Sequence, residues 1–140
     1  MQVHGSCVSR EGAGVLLLGP PGCGKSDLVL RLLECGFVLV ADDRVDIDAL
    51  IARPPAALAG LLEVRGLGIL QLPHQDQTEL ALVADLSGLS PRLPLPERHA
   101  SLDLPLVRIN PAAASAPARI AHALDCALGR TRQIAGSFRT

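Results

Sequence analysis

The stretch GPPGCGKSDLVLRLLECGFVLVADD, residues 19–43, decides the fold. Its first eight residues, Gly19, Pro20, Pro21, Gly22, Cys23, Gly24, Lys25 and Ser26, fit the pattern G-x-x-x-x-G-K-[ST] without a mismatch. The run before it, residues 15–18, is wholly apolar, which predicts a strand buried on both faces. A helix is expected from Ser26 to Cys35, with Asp27 in its first turn, where a carboxylate suits the helix dipole, and Gly36 as its stop. Residues 37–41 read as a second buried strand that ends at Asp42 and Asp43. Strand, glycine loop, helix and strand in that order make an α/β unit.

The loop has a definite chemistry. Glycines let backbone N–H groups curl around phosphate oxygens, and the helix N-terminus adds partial positive charge. Lys25 would reach the β- and γ-phosphates, and the Ser26 hydroxyl would ligate Mg²⁺. In folds of this kind the strand after the first helix often lies beside the strand before the loop. That arrangement puts Asp42 and Asp43 close to the terminal phosphate. One carboxylate can then hold the metal or its waters while the other accepts a proton from an attacking hydroxyl. Two neighbouring carboxylates raise each other's pKa unless a cation sits between them, so Mg²⁺ suits the pair. The residues alone leave open which aspartate takes which role.

Outward from this stretch, a first strand is expected at residues 3–8, with a turn at 10–12. Residues 44–53 read as short strands around a turn, 56–61 as a helical turn and 78–86 as a strand. The stretch LEVRGLGIL, residues 62–70, reads as a bulged strand with Glu63 and Arg65 paired on one face. Residues 86–96 are a proline- and serine-punctuated loop, and 104–109 form a last strand. Ser115 is placed to cap a helix that runs to Leu128, with Pro117 in its first turn, Gly129 after it, and Ile120, Leu124 and Leu128 on one face. The chain is read as one domain over residues 1–129 followed by a flexible tail, 130–140.

Composition narrows the function classes. A chain of 140 residues can bury one core without metal or disulfide support. Hydrophobic residues make up 49%, and Phe37 and Phe138 are the only aromatics, so the core is aliphatic. A net charge of −1 gives no basic footprint for nucleic acid. Cys7, Cys23, Cys35 and Cys126 show no metal-ligand spacing and are expected to be reduced, mostly buried thiols. No apolar run approaches the ~20 residues of a membrane span, and no secretory signal is read, so a cytoplasmic protein is expected.

Four stretches in order, Val3-His4-Gly5, GPPGCGKS, LVADD and EVRGLGIL, resemble the catalytic domain of the bacterial HPr kinase/phosphorylase family. The resemblance spans roughly residues 1–128 and matches the short form, without the N-terminal domain of the long members. It implies a single P-loop domain with a mixed β-sheet flanked by helices, of the HPr kinase and PEP carboxykinase type. It further implies an ATP- and Mg²⁺-dependent serine kinase that acts on the phosphocarrier protein HPr, or a paralogue, of the sugar phosphotransferase system. Members also catalyse phosphorolysis of the phosphoserine, and the long ones form hexamers.

Carried over by position, Lys25 and Ser26 hold phosphate and Mg²⁺, and Asp42-Asp43 supplies the catalytic base. Glu63 is the second Mg²⁺ ligand, His4 lies near the transferring phosphate, and Arg98 matches a catalytic arginine. The family's P-V-R-P-G-R-N segment, associated with the reverse reaction, reads here as PLVRINP, residues 105–111, which argues against phosphorolysis. The alternative is a nucleotide-sensing module that binds ATP without transferring phosphate. A small-metabolite kinase is disfavoured because no arginine-rich lid is present, and a GTPase because N-K-x-D is missing.

Overall fold

The aliphatic runs assemble into a curved mixed sheet around β3 (Ala13–Leu18), whose central residues are buried on both faces. The computed structural model describes residues 1–139. In chain order the strands are β1 (Gln2–His4), β2 (Ser6–Arg10), β3, β4 (Val38–Ala41), β5 (Arg44–Asp48) and β6 (Ile51–Arg53). They continue as β7 (Leu61–Val64), β8 (Gly68–Gln71), β9 (Thr78–Asp85), β10 (Glu97–Arg98) and β11 (Pro105–Arg108). Two α-helices, α1 (Lys25–Leu33) and α2 (Ala116–Ala127), and a 3₁₀ turn at Ala56–Leu58 complete the fold.

The main sheet runs β1-β5-β6-β9-β3-β2-β4, with β11 added to β9 and β10 to β11. The pairs β3–β9 and β9–β11 are parallel and the others antiparallel. The three parallel strands therefore end on one side, and the glycine loop leaves β3 there. In open α/β sheets ligands bind at this carboxyl edge. β7 and β8 form a separate antiparallel hairpin that packs against α1.

Side-chain alternation along β3 divides the core. Val15 and Leu17 face the helices, in a cluster with Leu28, Val29 and Leu32 of α1 and Ile120 and Leu124 of α2. Leu16 faces the opposite side, with Val45, Ile47, Ala52, Leu80 and Val83. Both helices thus cover the same face, and the curled strands β5 and β6 close the other.

Several local expectations change. β4 does not lie beside β3: β2 is inserted between them, antiparallel to both. Residues 62–70 are not a bulged strand but a hairpin, because Gly66 and Gly68 take positive φ and turn the chain. Arg65 falls in that turn, so it makes no ion pair with Glu63 on a shared strand face. Ser115 stands before α2, but its side chain makes no capping bond. Leu128 lies past the end of α2 and is 37% exposed, whereas Ile120 and Leu124 are fully buried. All four cysteines are free, but only Cys7 is buried and Cys35 is exposed.

Among the described residues the segment after α2 forms no helix or strand beyond an isolated bridge between Gly136 and Arg139. Arg130 pairs with Glu11, and Phe138 packs on the helix-side cluster. Thr140, the last residue of the expected tail, lies outside the described residues.

Candidate active site

The turn from β3 into α1 is drawn tight by its own backbone. Cys23 N–H donates to Pro20 O at 3.2 Å, and Gly24, at φ 103°, occupies the left-handed region at the start of the helix. Lys25 is nearly buried, and its Nζ donates to Gly19 O at 2.6 Å and Pro20 O at 3.0 Å. The Cys23 Sγ lies 3.8 Å from the same ammonium. The cation is therefore held within the loop by carbonyl oxygens, where a phosphate oxygen would compete for it.

Across from the loop, β4 delivers the two aspartates to different surroundings. Asp42 is 7% exposed. Its carboxylate accepts the Ser6 hydroxyl at 2.7 Å and the Ser26 hydroxyl at 2.9 Å. Asp43 adopts φ 71°, a left-handed conformation that aspartate tolerates better than most residues. This turn swings the exposed Asp43 carboxylate away from Asp42 to His4, whose Nε2 lies 3.0 Å from Oδ1.

The insertion of β2 explains why this works although β4 is one strand removed from β3. Ser6 at the start of β2 fills the gap with a hydroxyl that supports Asp42. Gly5, just before it, donates its N–H to Asp43 O at 3.1 Å. A Cβ at Gly5 would stand 2.7 Å from Leu17 O, so only glycine permits this approach to β3.

These groups line a cleft of about 570 Å³ together with Gly22, Gly24, Glu63 and Arg65. The structure thus brings together His4, Lys25, Ser26, Asp42, Asp43 and Glu63. Arg98 is not among the lining residues; β10 carries it away, and its guanidinium is engaged by Asp103. Gly19, Pro20 and Cys23 shape the loop without lining the cleft. The sequence reading missed Ser6, which the neighbouring His4-Gly5 signal could have flagged. It also missed Arg31, which bridges Asp27 at 3.1 Å and the carbonyls of Pro111 and Ala113, tying α1 to the segment after β11.

A second polar cluster stands at the carboxyl ends of β9 and β11. Arg108 contacts Asp85 at 3.1 Å and Glu97 at 2.9 Å. Burial raises the Asp85 carboxyl, but hydrogen bonds from Ser87 and the Arg108 charge outweigh it and leave the pKa below the ordinary value.

Comparison with known proteins follows from this geometry. Residues 1–83 match the family model described as the HPr Serine kinase C-terminal domain. The chain belongs to that family. The match takes in β1, the glycine loop, both aspartates and Glu63, the elements that build the cleft. Among curated proteins, HPr kinase/phosphorylase of Lactobacillus delbrueckii subsp. bulgaricus is 39% identical over 61% of this chain and 31% of the relative. That of Lactobacillus acidophilus is 36% identical over 64% of this chain and 32% of its own length. The chain thus spans about a third of the length of these relatives. The structure of the Hpr(Ser) kinase/phosphatase from Coxiella burnetii superposes with a TM-score of 0.76 at 25% identity, covering 93% of this chain and 92% of that one. The expected mixed α/β fold is that of a solved member of the family.

The cleft suits a divalent cation of the oxygen-loving kind. Ser26, Asp42 and Glu63 offer hard oxygen donors to the cleft, and among the described residues no three His, Cys, Asp or Glu side chains are grouped so as to hold a metal ion by themselves. That is the donor set of Mg²⁺, which binds through one or two carboxylates, waters and substrate phosphates.

Proposed function

We propose that this chain is an ATP- and Mg²⁺-dependent protein-serine kinase of the cytoplasm whose acceptor is an HPr-type phosphocarrier protein. The observation that carries this reading is the split between the aspartates. Asp42 is buried and bound to the Ser26 hydroxyl, whereas Asp43 is exposed and paired with His4 in the same cleft. A module that only sensed nucleotide would have no use for the second, solvent-facing carboxylate. The names of the relatives, HPr kinase/phosphorylase, support the choice of reaction and acceptor.

In this reading the glycine loop is a P-loop. Its amides and Lys25 bind the phosphate oxygens of ATP, and Lys25 leaves the Gly19 and Pro20 carbonyls to do so. Ser26, Asp42 and Glu63 would hold Mg²⁺, which when bound neutralises charge on the phosphates. Ser6 fixes the Asp42 carboxylate from behind. Asp43 takes the proton from the acceptor serine as its oxygen bonds to the γ-phosphorus. The bond to the bridging oxygen breaks, and ADP leaves with the electron pair. His4 holds the Asp43 carboxylate in place. Arg98 has no part in this scheme. Arg108, in the segment linked to phosphorolysis, is committed to Asp85 and Glu97, which favours the forward reaction alone.

The test is incubation with γ-labelled ATP, Mg²⁺ and purified HPr-type carrier, followed by phosphoamino-acid analysis. Label on serine of the carrier is expected. Nucleotide binding without label on any such carrier would contradict the proposal and favour the sensing module.

A further inference from the structure

The β7–β8 hairpin presents Glu63 to the cleft and, beside it, an apolar surface that the fold does not cover. Its inward face is accounted for: Leu62 is fully buried, and Val64 packs against the helix-side core. The outward face is not. Leu67, in the turn, and Ile69, on β8, are each 71% exposed and adjoin one another at the end of the hairpin.

Register places this surface. Glu63 stands directly opposite Ile69 across the hairpin, so the two side chains share a face with Cβ atoms ~5 Å apart. Glu63 lines the cleft, so Ile69 is the next position outward from its wall. Arg65, one turn residue from Leu67, also lines the cleft and pairs with no carboxylate among the described residues. The mouth of the cleft on the Glu63 side is thus an aliphatic shoulder with one free cation beside it.

We propose that this shoulder, Leu67 and Ile69 with Arg65, docks the acceptor protein and sets its register for phosphoryl transfer. The inference rests on the functional reading above. The occupant is the face of the acceptor that carries the reacting hydroxyl, because any protein whose serine reaches Asp43 must lie across the mouth that these residues rim. Its complementary chemistry is an apolar patch flanked by a carboxylate. ATP does not explain the shoulder: a polyphosphate gains nothing from exposed leucine and isoleucine. Binding energy in protein interfaces concentrates in a few side chains that become desolvated, and arginine is enriched among them, which suits Arg65 beside two aliphatic side chains.

The experiment measures steady-state transfer to an HPr-type carrier and, separately, carrier binding by calorimetry, for wild type, Leu67→Ser, Ile69→Ser and the control Ile134→Ser, an equally exposed aliphatic after α2 that does not line the cleft. Both shoulder positions are exposed, so the variants fold, which ATP affinity and thermal unfolding verify. The expected result is a rise in KM and in carrier Kd of at least about tenfold for Ile69→Ser, with kcat and ATP affinity unchanged. The control should match wild type. Unchanged KM and Kd in both shoulder variants overturn the proposal, as does an equal rise in the control. A concentration-dependent dimer that Ile69→Ser dissociates would assign the shoulder to a second copy and also overturn it. A wild-type chain that binds the carrier through Ile69 but transfers nothing would sink the kinase reading and leave the docking assignment standing.

Discussion

Asp43 carries a cost that Asp42 and Arg44 do not: a left-handed backbone. The strain of such a conformation is on the order of 1 kcal/mol, and glycine would relieve it at an entropic cost of about 0.5–1 kcal/mol. The pair with His4 is solvent-exposed and adds little. Asp43→Gly should therefore leave unfolding free energy within about 0.5 kcal/mol of wild type in urea titration, while phosphoryl transfer is lost. A large loss of stability would make Asp43 a structural residue.

Gly5 is the opposite case. A methyl group there meets a backbone oxygen of β3, which cannot move without the sheet, so Gly5→Ala should destabilise by about 1–3 kcal/mol. Circular dichroism during urea unfolding reads this directly. Lys25→Ala should abolish measurable ATP binding in calorimetry, since it removes the buried cation of the loop. The turn that these loop residues make between β3 and α1 was legible, because glycines between an apolar run and a helical pattern mark such a turn. The separate surroundings of Asp42 and Asp43 were not, because they depend on a φ angle and on Ser6, a residue in another strand.

At the scale of elements, the strand–loop–helix–strand core and the extent of α2 were readable from apolar runs and glycine stops. Strand adjacency was not. Sequence shows that β4 is buried but not that β2 folds between it and β3, since both orders bury the same side chains. The hairpin at residues 61–71 was misread for a related reason: two glycines fit a bulge or a turn, and only packing against α1 decides. α2 is held by Ile120 and Leu124, both fully buried against the face that includes Val15 and Leu17. Leu124→Ala should cost about 2–5 kcal/mol by the loss of burial and the cavity left behind. Leu128→Ala, at the exposed end, should cost much less. Equal effects would mean that the two positions are packed alike.

The whole molecule is fastened at the carboxyl edge of its parallel strands by Asp85, Arg108 and Glu97, which tie β9, β11 and β10 together. Because the Asp85 pKa is depressed in the folded state, its contribution is present above the unfolded carboxylate value of about 3.9 and is lost as pH falls through the lower folded value. Asp85→Asn should lower stability at neutral pH by on the order of 1 kcal/mol. It should also flatten the acid limb of the stability curve below about pH 4. A variant whose curve stays parallel to wild type through that window would remove Asp85 from the account. None of this cluster was apparent from the sequence, because its three members lie in separate strands and meet only through the sheet order.

The central claim is that the cleft transfers phosphate and that Asp43 is its base. Single-turnover transfer from labelled ATP to an HPr-type carrier, measured for wild type and Asp43→Asn with ATP binding determined on the same samples, tests it most directly. The expected result is phosphoserine on the carrier with wild type, and a rate lower by about 10²–10⁴-fold for the variant at unchanged ATP affinity. Equal rates for the two proteins, or intact ATP binding with no phosphoserine from wild type, would contradict it.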